Sequence, residues 1–141
     1  MLFPKKVKYR KWQTNRKHPE KLARPDTRGI TLAFGSFGLK AETQGRITSN
    51  QIEAARRALT RSIGKTGKVW IRIFPDRPVT AKAAEVGMGK GKGDLKGYVM
   101  EARPGRMLFE VDGVTEEAAR LGMHKAGAKL PVKTKFIIRE H

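Results

Sequence analysis

The sequence contains no cysteine, which excludes disulfides, cysteine-based zinc sites and thiol catalysis. Acid is scarce too, with 13 Asp and Glu against 31 Lys and Arg. Metal-dependent nuclease chemistry wants several converging carboxylates, and the few here are scattered. Glu116 with Glu117 fits the start of a helix, and Asp94 fits a turn or charge balance. Histidine is limited to His18, His124 and His141. No HExxH or similar spacing links them, so neither a metal set nor a nucleophile–base pair is expected. Long hydrophobic runs are also missing. Nothing approaches the roughly 20 residues needed to span a bilayer, and there is no long amphipathic basic helix or lipidation signal. The start, "MLFPKKVKYRKW", soon meets charge and has no apolar signal core. An unprocessed cytoplasmic protein is therefore expected.

What the sequence has in excess is positive charge. A formal charge of +18 and a pI near 10.8 create self-repulsion that opposes compaction. A polyanionic partner follows, with nucleic acid ahead of a membrane surface. The 141 residues, 38% of them hydrophobic, fit one domain with a modest core. Residues 1–28 read as a basic N-terminal arm, and 29–141 as a globular core. Up to Arg24 the arm holds nine cations and one acid, Glu20, with Tyr9 and Trp12 interleaved and Pro4, Pro19 and Pro25 opposing regular structure. Lys5, Lys6, Lys8, Arg10, Lys11 and Trp12 are candidate RNA contacts, cations for phosphates and a ring for an exposed base. A solvated, disordered tail is the competing reading for the isolated protein.

Within the core, "GITLAFGSFGLKAE" alternates as a strand, a Gly-Ser turn region and a second strand, with Gly35 and Gly38 serving turn or bulge geometry. "TSNQIEAARRALTRSIGK" is the clearest helix. Thr48 and Gln51 form a capping-box pattern, Gly64 suits the stop, and Ile52, Ala55, Leu59 and Ile63 share one stripe. Arg57, Arg61 and Lys65 fall opposite, read as a row without interleaved acid and therefore as phosphate contacts. "GKVWIRIFPD" reads as a strand ending at Pro75, in which Trp70 fits core packing and RNA contact equally. Residues 76–96 show neither the helical nor the strand period and read as a long inserted loop. "LKGYVMEARPGRMLFEVDG" reads as a hairpin about Pro104-Gly105. A second helix is capped by Thr115 and stopped before Pro131, and "VKTKFIIRE" closes as a strand. The expected fold is α+β, two helices on a mostly antiparallel sheet.

Two stretches imitate phosphate loops. "GKT" at Gly64-Lys65-Thr66 resembles the end of a Walker A motif, but the required upstream glycine is Leu59 and the tripeptide ends a helix rather than opening one. "GMGKGKGD", from Gly87 to Asp94, has the wrong glycine spacing and no hydrophobic strand running into it. No catalytic constellation and no cofactor is expected. The alternating glycines permit close backbone approach to a larger polyanion, and Lys90 and Lys92 supply charge there.

"QIEAARRA", "KVWIRIFPDRP", "MGKGKG", "PGRMLFEVDGV" and "AKLPVKTKF", in this order, closely resemble the bacterial ribosomal protein L-sixteen family of the large subunit. "MLFPKKVKYRK" and "FGSFGLKA" match as well, so the resemblance covers nearly the whole chain. It implies a non-catalytic ribosomal component that binds large-subunit rRNA near the peptidyl-transferase region, helps position A-site and possibly P-site tRNA, and joins late in assembly. Neighbouring ribosomal proteins are implied partners, and the chain is expected as a monomer within the ribosome. No membrane or small-molecule substrate is expected. A free-standing regulatory or chaperone-like RNA binder is the alternative. By motif, the resemblance points to Met88, Gly89, Lys90, Gly91, Lys92 and Gly93 at an RNA-facing tip, to Arg72 in the strand, and to Arg56 and Arg57 in the helix. The family usually has arginine where this chain has Gly87, so no role of that arginine transfers.

Overall fold

The computed structural model describes residues 2–5, 24–81 and 94–139. In chain order the elements are β1 (Phe37–Ala41), β2 (Gly45–Thr48), α1 (Ser49–Ile63), β3 (Lys68–Ile71), β4 (Arg77–Ala81), β5 (Asp94–Ala102), β6 (Met107–Asp112), α2 (Glu116–Gly127) and β7 (Thr134–Ile138). The class is α+β as expected. The strands, however, divide into two antiparallel sheets, β3-β6-β1-β7 and β2-β5-β4, rather than one.

Both helices begin as their sequences dictate. Thr48 Oγ1 accepts from the Gln51 N–H at 3.2 Å while Gln51 Oε1 accepts from the Thr48 N–H at 2.9 Å, so two orphan donors are satisfied reciprocally. Gly64 ends α1 at φ 75°, donating to the Thr60 carbonyl. Ile52, Ala55, Leu59 and Ile63 are the buried stripe, the larger of them contributing about 1.5–3 kcal/mol each by leaving water. Thr115 caps α2 and Glu116 and Glu117 occupy its first turn, where the helix dipole favours negative charge. The helices meet at Gly122, where an added Cβ would lie 3.0 Å from Leu59 Cδ1. They cover a core of Leu39, Ile47, Leu108, Phe109, Val111 and Met123, all buried.

The strand expected to end at Pro75 stops at Ile71, so Arg72 lies just past β3, and the strands depart from the sequence reading in three further places. Residues 30–36 form no regular strand, and the partner expected there is replaced by the four-residue β2. Segment 24–36 is instead strapped to the sheets: the Asp26 N–H donates to the Pro104 carbonyl at 2.7 Å, the Met107 N–H to Gly29 at 2.7 Å, and the Ser36 N–H to Val111 at 3.1 Å. Second, the expected loop over 76–96 contains β4 and the start of β5. Pro78 hid β4 from a period count, and it is tolerated because β4 is an edge strand that needs no donor on its outer side. Third, Pro104-Gly105 is a turn but not a hairpin. The Arg106 N–H closes it onto the Arg103 carbonyl and Gly105 sits at φ 94°, yet β5 and β6 belong to different sheets. The turn is a corner between sheets, because β6 is already paired on both sides by β3 and β1.

Candidate functional site

β6 places a carboxylate where an apolar side chain would be ordinary. Glu110 lies within "MLFEVD", opposite Trp70 of β3 on one side and Gly38 of β1 on the other, and it is 0% exposed. A buried carboxylate needs partners for its lone pairs. Oε1 accepts the backbone N–H groups of Ala33, Phe34 and Gly35 at 2.9, 2.9 and 3.0 Å. Oε2 pairs with Arg72, whose guanidinium also donates to the Thr31 carbonyl at 3.2 Å. Burial pushes the Glu110 carboxyl up, but the three backbone donors and Arg72 outweigh it and hold the group below the usual carboxylate range.

This carboxylate organises the turn that crosses it. Arg139 pins the same turn from the far side, its Nε donating to the Gly35 carbonyl at 3.0 Å and its N–H to that of Ser36 at 2.8 Å. Gly35 has no room for a side chain, since a Cβ there would lie 2.5 Å from the Val111 carbonyl oxygen. The turn presents Phe34 outward. Its ring stacks on Trp70 with centroids 5.9 Å apart and planes 19° apart, and the Arg72 guanidinium lies 5.4 Å from its centroid. Arg72 is thus bound into an internal ion pair, and Trp70 is half-buried beneath Phe34.

The helix stripe needs a correction. The row Arg57, Arg61, Lys65 was read as free of acid, but Glu53 stands one turn ahead of Arg57 on the same face. Its carboxylate accepts from Arg56 Nε at 3.1 Å and from Arg57 Nε at 3.2 Å. The Arg56 hydrogen bond first, opposed by desolvation and helped by the charges of Arg56 and Arg57, brings the Glu53 carboxyl down to about 2. One carboxylate shared by two guanidiniums leaves net positive charge, and the Arg57 side chain remains 70% exposed. Arg61 and Lys65 are exposed and pair with no carboxylate among the described residues. The structure therefore keeps Arg57 and Arg61 on one face of α1 but places Lys65 off that row, past the Gly64 cap where the helix has ended, and sets Arg72 apart in the Glu110 cluster.

At the start of the chain, Leu2 packs against the core and the Phe3 ring meets Tyr98 edge-on at 5.3 Å, so Lys5 projects from an anchored segment. Lys6, Lys8, Arg10, Lys11 and Trp12 lie outside the described residues, as do Gly87 and the tip Met88, Gly89, Lys90, Gly91, Lys92 and Gly93. The residues on either side of that stretch are described: Ala81 of β4 and Asp94 of β5 are Cα partners.

Sequence reasoning missed Glu110, Phe34, Arg139 and Glu53. An acid inside an otherwise apolar strand was the signal for Glu110, and a count of one helical turn back from Arg57 would have found Glu53. Among the described residues no group of three or more His, Asp or Glu could hold a metal ion, and no helix is long and apolar enough to cross a membrane. The family model described as ribosomal protein L16p/L10e matches residues 4–137 of the chain.

Proposed function

The chain belongs to the ribosomal protein L16p/L10e family, and from that premise we propose that it binds large-subunit rRNA near the peptidyl-transferase region, contacts the arms of A-site and P-site tRNA, and enters the subunit late in assembly. Membership makes it a structural constituent of the large subunit in a non-enzymatic family. The observation that supports the finer reading best is the exposed cationic face of α1, Arg57 and Arg61, on a helix whose opposite stripe is buried, with exposed Lys65 following just past its Gly64 cap. Arg57 and Arg61, one turn apart on a rigid helix, can meet successive backbone phosphates without a further loss of backbone entropy. The anchored start of the chain would direct the basic arm, and the β4–β5 pair would direct Met88 to Gly93, towards further RNA. A-form grooves hide base edges, so recognition rests on phosphates, shape and unpaired bases.

Crosslinking mapped to nucleotides in purified large subunits tests this reading. Crosslinks from the α1 face to rRNA, and from the 88–93 tip to rRNA or bound tRNA, are expected. Crosslinks from α1 only to other proteins would overturn it.

A further inference from the structure

We propose that Phe34 is a platform on which one unpaired RNA base stacks, with Arg72 as the cation beside it. The inference rests on the RNA-binding reading above and adds Phe34, which the sequence analysis did not single out, to the candidate Arg72. An exposed phenylalanine is by itself ordinary. What sets this one apart is how it is held. Three successive backbone N–H groups, of Ala33, Phe34 and Gly35, converge on a single buried carboxylate oxygen. Trp70 supports the ring and the Arg72 guanidinium lies against it, itself fixed by Glu110 and the Thr31 carbonyl. With both neighbours in place Phe34 is still 58% exposed. A buried charge, an aromatic and an arginine thus fix an apolar ring that faces water, and a ring already immobilised loses little further freedom when a ligand covers it.

The surroundings favour a nucleotide over an apolar peptide. Arg72 also lines an adjoining hollow together with Arg28 and Arg106, and Phe74 is exposed beside it. Asp76 is the acid of that hollow, and Asp26 lies 3.7 Å from Arg106. Flat π-surface next to guanidinium groups, on a chain of charge +18, suits a base with its phosphate. A duplex offers no free base face, so the occupant is an unstacked loop or bulge base.

The test uses the full chain, with a short labelled single-stranded oligouridine and a labelled RNA duplex as probes. Phe34→Ala is expected to weaken single-strand binding about ten-fold while leaving duplex binding and the salt dependence unchanged. Phe34→Tyr should restore the single-strand affinity. Phe34 is exposed, and an unchanged thermal midpoint for Phe34→Ala would separate lost stacking from lost fold. Single-strand binding of Phe34→Ala equal to wild type, or an equal loss on both probes, overturns the platform alone. A wild-type protein that binds neither probe overturns the RNA-binding reading and the platform with it. A photocrosslinker at position 34 should join rRNA in purified large subunits; joining only a neighbouring protein would assign the ring to a protein partner instead.

Discussion

Glu110 is the residue on which the most depends, because it converts a chain crossing into a fixed turn. Removing its charge leaves Arg72 without its carboxylate and forces three backbone donors to share a weaker acceptor. Glu110→Gln should therefore destabilise the fold by about 3 kcal/mol in urea titrations at neutral pH. A loss under about 0.5 kcal/mol, the level of an ordinary surface substitution, would deny the carboxylate its structural role. The acid behaviour follows from the direction of its pKa. The folded value lies below that of an unfolded carboxylate, so its contribution is complete above about 4.3 and is lost as pH falls from there through the folded value. Glu53 adds to the same window, from the ordinary range down to about 2. Thermal midpoints measured between those limits should fall steeply for wild type and less steeply for Glu110→Gln. Parallel curves would place the acid sensitivity elsewhere.

Helices and strands differed in how openly the sequence declared them. The cap of α1 is written in residues three apart, and its buried stripe in residues three or four apart, so local spacing was enough. Thr48→Ala should cost about 1 kcal/mol, read by denaturant midpoint, since it removes one half of the capping box. Gly122→Val should cost about 1–3 kcal/mol, because the added branch meets Leu59, Ser62 and Ile63 across the helix contact. No loss there would mean that α1 can shift away freely. Strand partners were not legible in the same way. Alternation reveals a strand but not its neighbour, so "LKGYVMEA" and "RMLFEVDG" looked like one hairpin although β5 and β6 lie in different sheets. β2 was too short, and β4 too broken by Pro78, for a period to register. The Phe34 cluster was hidden for a deeper reason: its members come from β3 and the residue after it, from β6 and from the 31–35 crossing, and only the folded chain brings them together.

For the whole molecule, charge dominates. A net +18 repels itself, so added salt should raise the thermal midpoint of the free protein by screening. The same salt should weaken RNA binding. If six to ten phosphates are neutralised, the log–log slope should lie roughly between −5 and −9, and a slope near zero would exclude the electrostatic account. Lys90→Ala combined with Lys92→Ala should reduce that slope by about two while leaving the melting curve in place. An unchanged slope would remove those two lysines from the interface.

The crossing at residues 33–36 also sets a timetable. Glu110 reaches Gly35 across 75 residues, and Arg139 reaches the same glycine across 104. Contacts so distant along the chain raise the loop-closure entropy of the transition state and slow folding towards the millisecond-to-second range. During synthesis the early segments emerge with neither anchor available, apolar groups uncovered and cations already accessible. The newly made chain thus passes through an interval in which those apolar and cationic groups stand uncovered before its own turn has closed. A variant that loosens the turn reports when the closure forms: slower folding would place it in the transition state, and faster unfolding alone would place it after.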